Sequence, residues 1–188
     1  ISSLSSVLEE DYQIRVFQNS NHDFIIPDNI IVDGGNRNFG YGNGHNKNLK
    51  WFIDNEYTHV VISNTDIKFL TDLSPLFSFH KNISVLCPLI LDQDLNQQKM
   101  VRTLPTILDK LKSLIFGYPF YKIIEGDSEM VIPSFSGCFF VLNISNFLNL
   151  NESQLFDSNI FLYEEDTDLS RRLWPKRSAK LISKVKIV

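Results

Sequence analysis

The chain is short of cysteine, of long apolar runs and of positive charge, and each shortage closes off a class of protein. Only two of its 188 residues are cysteine. Cys87 and Cys138 sit inside the apolar runs VLCPLI and GCFFVLN, without metal-type spacing, and read as small buried hydrophobes in a reducing compartment. No apolar run approaches the roughly 20 residues that span a bilayer, and no charged-then-apolar leader opens the chain. A net charge of -4 argues against nucleic-acid binding through bulk phosphate attraction. Acidic residues are themselves missing from Leu169 onward, where Arg171, Arg172, Lys176, Arg177, Lys180, Lys184 and Lys186 stand. Such a tail is either a solvated face or a contact for an anionic ligand or lipid. The chain reads as cytoplasmic, or peripheral to the inner face of a membrane.

What is present fits one soluble domain over residues 1–188, with 43% hydrophobic and 21% charged residues. The chain opens on Ile rather than Met, which is expected of a piece trimmed at its N-terminus. Ile1, Leu4 and Leu8 recur at helical spacing, and Tyr12 to Phe17 alternates as a strand. A polar loop over 19–29 leads to the apolar run Ile30–Val32. Five of the eight glycines then crowd between Gly34 and Gly44, a turn expected to deliver the chain into a helix through Leu49, Trp51, Phe52 and Ile53. The β-branched run HVVIS at 59–63 predicts a buried strand ending on Asn64, Thr65 and Asp66.

Further on the pattern predicts a short helix at Leu73–Phe79, a strand at Ile83–Pro88, a polar loop at Asp92–Lys99 and a helix over Thr106–Phe116. An irregular stretch over Gly117–Met130 precedes one or two strands in VIPSFSGCFFVLN. A helix opens at the acidic cluster and stops at Trp174–Pro175, and a strand pair fills Lys180–Val188. Strands alternating with helices make an α/β domain.

Three constellations carry chemistry. FLYEEDTDL, Phe161 to Leu169, sets Glu164, Glu165, Asp166 and Asp168 within five positions, behind an aromatic-aliphatic run expected to be buried. Like charges this close raise one another's proton affinity, which suits a general base; acidic residues also suit a helix's first turn. The glycine-rich stretch Asn38–Asn46 lets backbone N–H groups approach a phosphate or sugar, or simply turns a strand into a helix. Its order, G-x-G-x-G, is not a dinucleotide fingerprint. Asn64 and Asp66 at a strand end offer hard oxygen donors for Mg²⁺ or Mn²⁺ held mainly through a substrate diphosphate, or cap a turn. His22, His45, His59 and His80 share no ligand spacing and read as structural or solvent-facing. Trp51 and Trp174 read as packing residues.

In this order the segments resemble the family 2 glycosyltransferases, particularly the bacterial rhamnosyltransferase-like branch of O-antigen and capsule synthesis. NRNFGYGNGHNKNL is similar to that family's Asn-x-Gly-Phe-x-x-Gly-Asn-Asn segment. HVVISNTDI is similar to its strand ending in Asn-Pro-Asp, a variant of the Asp-x-Asp metal motif. SGCFFVLN followed by FDSNIFLYEEDTDLSRRL resembles its Gly-Ala/Cys-Phe strand and acidic segment.

The resemblance implies a GT-A-type, Rossmann-like fold: a mixed, mostly parallel sheet flanked by helices, here without the family's first strand. It implies Asp166 as catalytic base with Glu165 beside it, and Asn19, Asn38, Gly40, Tyr41, Gly44, Asn46 and Asn64 on the donor. Ser136, Gly137 and Asp168 fall on the acceptor, and Asp66 on Mg²⁺ or Mn²⁺. The reaction implied is inverting transfer from a nucleotide sugar to a saccharide or lipid-linked saccharide, with peripheral membrane contact through the basic C-terminal segment and no nucleic-acid partner. The chain departs from the family pattern in having Gln18 where the family has Asp, and in stopping at Val188, ahead of the position of the family's metal-binding His. A catalytically inactive carbohydrate- or nucleotide-binding domain of the same fold, and a nucleotidyltransferase, remain alternatives.

Overall fold

Apolar β-branched and aromatic runs build the sheet, as their burial requires. The computed structural model describes residues 12–188 apart from 21–26, 29, 36, 79, 99–103, 105, 106, 117–125, 127 and 153; the helical spacing at Ile1–Leu8 and most of Gly117–Met130 lie outside the described residues. FFVLN forms β6 (Phe139–Asn143) and VLCPLI forms β4 (Val85–Ile90), and every residue of both is buried. They occupy the middle of a five-stranded sheet with β3 (His59–Ser63), β5 (Glu129–Val131) and β7 (Ala179–Ile187), in the order β3-β6-β4-β7-β5. A separate parallel pair joins β1 (Ile14–Gln18) to β2 (Ile30–Gly34).

The mixed α/β architecture is as expected, but parallel neighbours are the minority. In the large sheet only β4 and β7 pair parallel, while β3–β6, β6–β4 and β7–β5 are antiparallel. The reversed strand β6 inserts between β3 and β4. Pro88 explains a further irregularity. It faces Ile182 on β7, whereas the next residue, Leu89, faces Lys186, and a proline within a ladder is confined to such bulges because it has no N–H to donate.

Three other expectations change. The strand pair at Lys180–Val188 is a single nine-residue strand, β7, since no turn residue interrupts AKLISKVKI. The helix at Leu73–Phe79 is a 3-10 turn at Ser74–Phe77, begun where Asp72 accepts the Ser74 N–H at 2.9 Å. The strand at Ile83–Pro88 starts at Val85 and runs on to Ile90. Helix α2 (Ile107–Phe116) lies where periodicity puts it, α3 (Ile144–Leu148) follows β6 directly, and α4 (Glu165–Leu173) stops ahead of Pro175. Among the described residues no helix is long and apolar enough to cross a membrane.

The glycine stretch is mostly not a turn. Helix α1 runs from Tyr41 to Asp54 and so contains Gly42 and Gly44, which leaves Gly40, at φ 86°, as its N-terminal boundary. Glycine inside a helix costs about 1 kcal/mol relative to alanine, so its presence needs a reason, and packing supplies one. A Cβ at Gly42 would lie 2.7 Å from the Phe156 Cβ, and one at Gly44 would lie 2.8 Å from Phe17 Cδ1. Gly40 is tighter still, its Cβ position being 2.2 Å from the carbonyl oxygen of Phe161.

Adding a methyl at Gly42 trades about 1 kcal/mol of helix propensity against about 1–3 kcal/mol of overpacking, whereas Gly40→Ala meets backbone in a left-handed conformation and gains nothing. Urea denaturation is therefore expected to show Gly40→Ala destabilised by about 2 kcal/mol or more and Gly42→Ala by a smaller amount. Equal stability of both variants and the unmodified chain contradicts this packing account.

Candidate active site

Three chain-distant segments meet at the Gly137–Cys138 turn that enters β6. From β3, the Asn64 N–H donates to the Cys138 carbonyl at 2.8 Å. From α1, the Tyr41 hydroxyl donates to the Gly137 carbonyl at 2.5 Å. From α4, the Asp166 carboxylate accepts from the Gly137 N–H at 3.2 Å and from the Thr167 N–H at 2.7 Å. Gly137 leaves room for this approach, since a Cβ there would lie 3.2 Å from the Asp166 Cβ.

Electrostatics reports the same convergence. Burial pushes the Cys138 thiol up, a hydrogen bond with Ser136 opposes that, and the Asp66 and Asp166 charges add to it. Burial likewise raises Tyr41, helped by Cys138, Glu165 and Asp166, so its hydroxyl remains a donor at physiological pH. Glu165 Oε2 is buried without a hydrogen-bond partner among the described residues. The expectation that Cys138 is simply a buried hydrophobe changes accordingly: it is partly exposed at the site, while Cys87 is buried.

Three of the four asparagines assigned to the donor hydrogen-bond the backbone of neighbouring segments. Asn46 grips the Phe156 backbone from both sides, donating to its carbonyl at 2.7 Å and accepting from its N–H at 3.0 Å. Asn38 accepts from the Gly40 N–H at 2.8 Å. Asn19 accepts from the Phe39 N–H at 3.0 Å and donates to the Gly40 carbonyl at 3.2 Å. Asn19 and Asn38 satisfy backbone groups left over where loop becomes helix, and Asn46 satisfies those of Phe156, while Asn19 also lines the cleft beside Asp66.

Asp168 is also engaged elsewhere. Arg172 donates to it at 2.9 Å, to Glu152 at 2.7 Å and to the Leu155 carbonyl at 2.5 Å, tying α4 to the segment before it. Residues two apart on a helix do not share a face, so Asp168 turns away as Asp166 faces Gly137. Ser136 accepts from the Cys138 N–H at 3.3 Å and stands at the same turn as Gly137.

Phe161, Leu162 and Tyr163, expected to be buried, are 55%, 50% and 77% exposed. Tyr163 and Glu164 carry φ of 66° and 67°, a left-handed region that costs a bulky residue about 1–3 kcal/mol. These two residues reverse the chain into α4, and in doing so turn the three side chains outward.

Beside Asp66 opens a cleft of about 420 Å³, walled by Arg15–Phe17 of β1, floored by Tyr41, His45 and Asn48 of α1, and closed by Ser63–Asp66. Asn64, Thr65 and Asp66 are exposed at its rim. Arg15 pairs with Asp33 and lies 4.3 Å over the Trp51 ring, yet Arg15 Nε and Asn48 Oδ1 are buried without a partner among the described residues. Nothing in the sequence marks these two: a polar residue in mid-strand or mid-helix has no motif, and only the cleft reveals it. His45, 4.4 Å from the Tyr41 ring, is another residue the sequence leaves undistinguished.

Among solved structures the chain is similar to GalNAc-T7, crystallised with UDP, GalNAc and Mn²⁺, at a TM-score of 0.57 and 13% identity, over 85% of this chain and 32% of that one. The chain thus spans about a third of that protein's length. No protein-family profile matches it, and no curated protein sequence does. The likeness establishes the fold, that of the GT-A glycosyltransferases.

His45 gives this region a pH signature. Burial lowers its pKa from 6.5 to about 4, so between those values the unfolded chain binds more protons than the folded one. The neutral-His stabilisation is complete above about pH 6.5 and is lost on acidification by up to about 1.4 kcal/mol per pH unit; His59, also lowered by burial, adds in the same direction. Urea unfolding at pH 7 and pH 5 is expected to show a smaller acid loss in His45→Gln than in the unmodified chain. An identical loss in both removes His45 from the account.

Proposed function

We propose that this chain is the catalytic domain of a glycosyltransferase that moves a sugar, with inversion, from a nucleotide-sugar donor to a saccharide or lipid-linked saccharide. One observation carries the reading: the β3 tip, through Asn64, and the α4 start, through Asp166, are far apart in sequence and both bond the Gly137–Cys138 turn. Inverting transfer needs one base and one place to receive a leaving diphosphate, on opposite sides of the reacting carbon.

Asp166 is the base. Two backbone N–H groups hold its carboxylate, so it is already oriented when an acceptor hydroxyl arrives, and it takes that proton as the new bond forms. Tyr41 stays protonated and braces Gly137, while Glu165 adds a second carboxylate behind Asp166. The cleft beside Asp66 has the size and polarity to take the nucleoside, with Arg15, Asn48 and Asn64 facing it.

Asp66 and Asn64 supply hard oxygen ligands at an exposed strand tip, but among the described residues no group of three His, Cys, Asp or Glu side chains could hold a metal ion. These residues fit Mg²⁺ or Mn²⁺ only in a shell completed by oxygens of the donor diphosphate. When bound, such an ion supplies Lewis-acid stabilisation of the departing diphosphate.

The family 2 resemblance supports a place in bacterial surface polysaccharide synthesis, on O-antigen or capsule, in the cytoplasm. Arg177 and Lys184 are exposed and supply basic groups for contact with an anionic membrane surface. The incomplete metal shell favours, as a second reading, a domain that binds nucleotide or carbohydrate without catalysis.

Asp166→Asn is expected to slow transfer by about a hundredfold to ten-thousandfold while preserving the melting-temperature rise that a nucleotide sugar with Mn²⁺ gives the unmodified chain. Transfer at the original rate rejects Asp166 as base. A nucleotide-induced shift with no turnover by the unmodified chain selects the binding-only reading.

A further inference from the structure

The exposed run Phe161–Leu162–Tyr163 is not explained by folding. Its three side chains, 55%, 50% and 77% exposed, gain little from burial. Tyr163 and Glu164 both hold the left-handed conformation, for which glycine or asparagine is the usual choice and a bulky aromatic a poor one. A chain needing only a turn into α4 is better served by glycine at 163.

The backbone of this run is nevertheless firmly seated. The Phe161 carbonyl presses against Gly40 so closely that no side chain fits there, and the Glu164 carbonyl accepts the Asp168 N–H at 2.8 Å as α4 begins. The result is an apolar surface on a fixed support, continuous along the chain with Glu165 and Asp166.

We propose that Phe161, Leu162 and Tyr163 form the acceptor platform: the apolar face of the acceptor sugar ring lies on them, with its reacting hydroxyl directed at Asp166. The inference rests on the transferase reading above. Aromatic rings offer rigid apolar area, and tyrosine adds a polar tip that can hydrogen-bond a ring hydroxyl. An exposed apolar run three residues ahead of Asp166 in the chain is the expected form of such a subsite.

The test exploits opposite effects on stability and function. With the nucleotide sugar that raises the melting temperature, and methyl glycosides of glucose, galactose, rhamnose, N-acetylglucosamine and N-acetylgalactosamine as acceptors, Tyr163→Gly is expected to raise the acceptor KM about three- to tenfold without raising the donor KM. Its melting temperature is expected to stay level or rise by about 2–4 °C, because the backbone strain is relieved. Phe161→Ala is expected to move the acceptor KM in the same direction.

An acceptor KM unchanged in both variants, or a donor KM raised equally, overturns the platform. So does a wild-type chain that hydrolyses the donor but uses none of the glycosides. Absence of any shift or hydrolysis with every nucleotide sugar instead overturns the transferase reading beneath it.

Discussion

The site exists because α1 can come into near-contact with the segment that leads into α4. At Gly40 and Gly42 the missing Cβ atoms let helix backbone lie against the Phe161 carbonyl and the Phe156 side chain. Phe156 is fully buried there, with its ring centroid 5.7 Å from that of Tyr41 and 6.3 Å from that of Phe140. One aromatic side chain thus joins α1, β6 and the approach to the acidic helix. A methyl group inserted on either glycine separates the surfaces on which Tyr41 and Asp166 depend for their shared hold on Gly137.

Polar chemistry then fixes what close packing allows. The two hydrogen bonds between Asn46 and the Phe156 backbone contribute roughly 1 kcal/mol each, and their larger value is directional, since they set the register of the loop against the helix. Asn19 and Asn38 do the same at the helix entrance. Three asparagines of the motif thus bond backbone, while the cleft beside Asp66 is lined also by Arg15 and Asn48, which no motif marks. Arg15 Nε and Asn48 Oδ1, without a partner among the described residues, show where this scaffold leaves polar capacity unspent, since buried polar atoms are ordinarily bonded.

How much was legible depends on the range of the interaction. The strands HVVIS and FFVLN, the stop of α4 at Pro175 and the polar tip at Asn64–Asp66 follow from local composition, although HVVIS, expected to be buried, is an edge strand in which only Val60 and Ile62 are buried. The helical start of the glycine stretch was not legible, because Gly42 and Gly44 are chosen for contacts with Phe156 and Phe17, distant in sequence. Nor was the outward turn of Phe161–Tyr163: an apolar run ahead of charged residues predicts burial, and only two consecutive left-handed residues reverse it. Asp168 belongs with Asp166 in a linear motif, but helical geometry sends it to Arg172.

The amino-acid sequence alone determined the α/β class, the strand cores and the inventory of carboxylates, because these rest on burial and backbone preferences between near neighbours. Tertiary structure decided which carboxylate faces Gly137, which asparagines bond remote backbone, and that the β3 tip and the start of α4 meet at one turn. Those outcomes depend on packing between elements that are remote in the chain, where a fraction of an ångström at a glycine settles the arrangement and local preference carries no information.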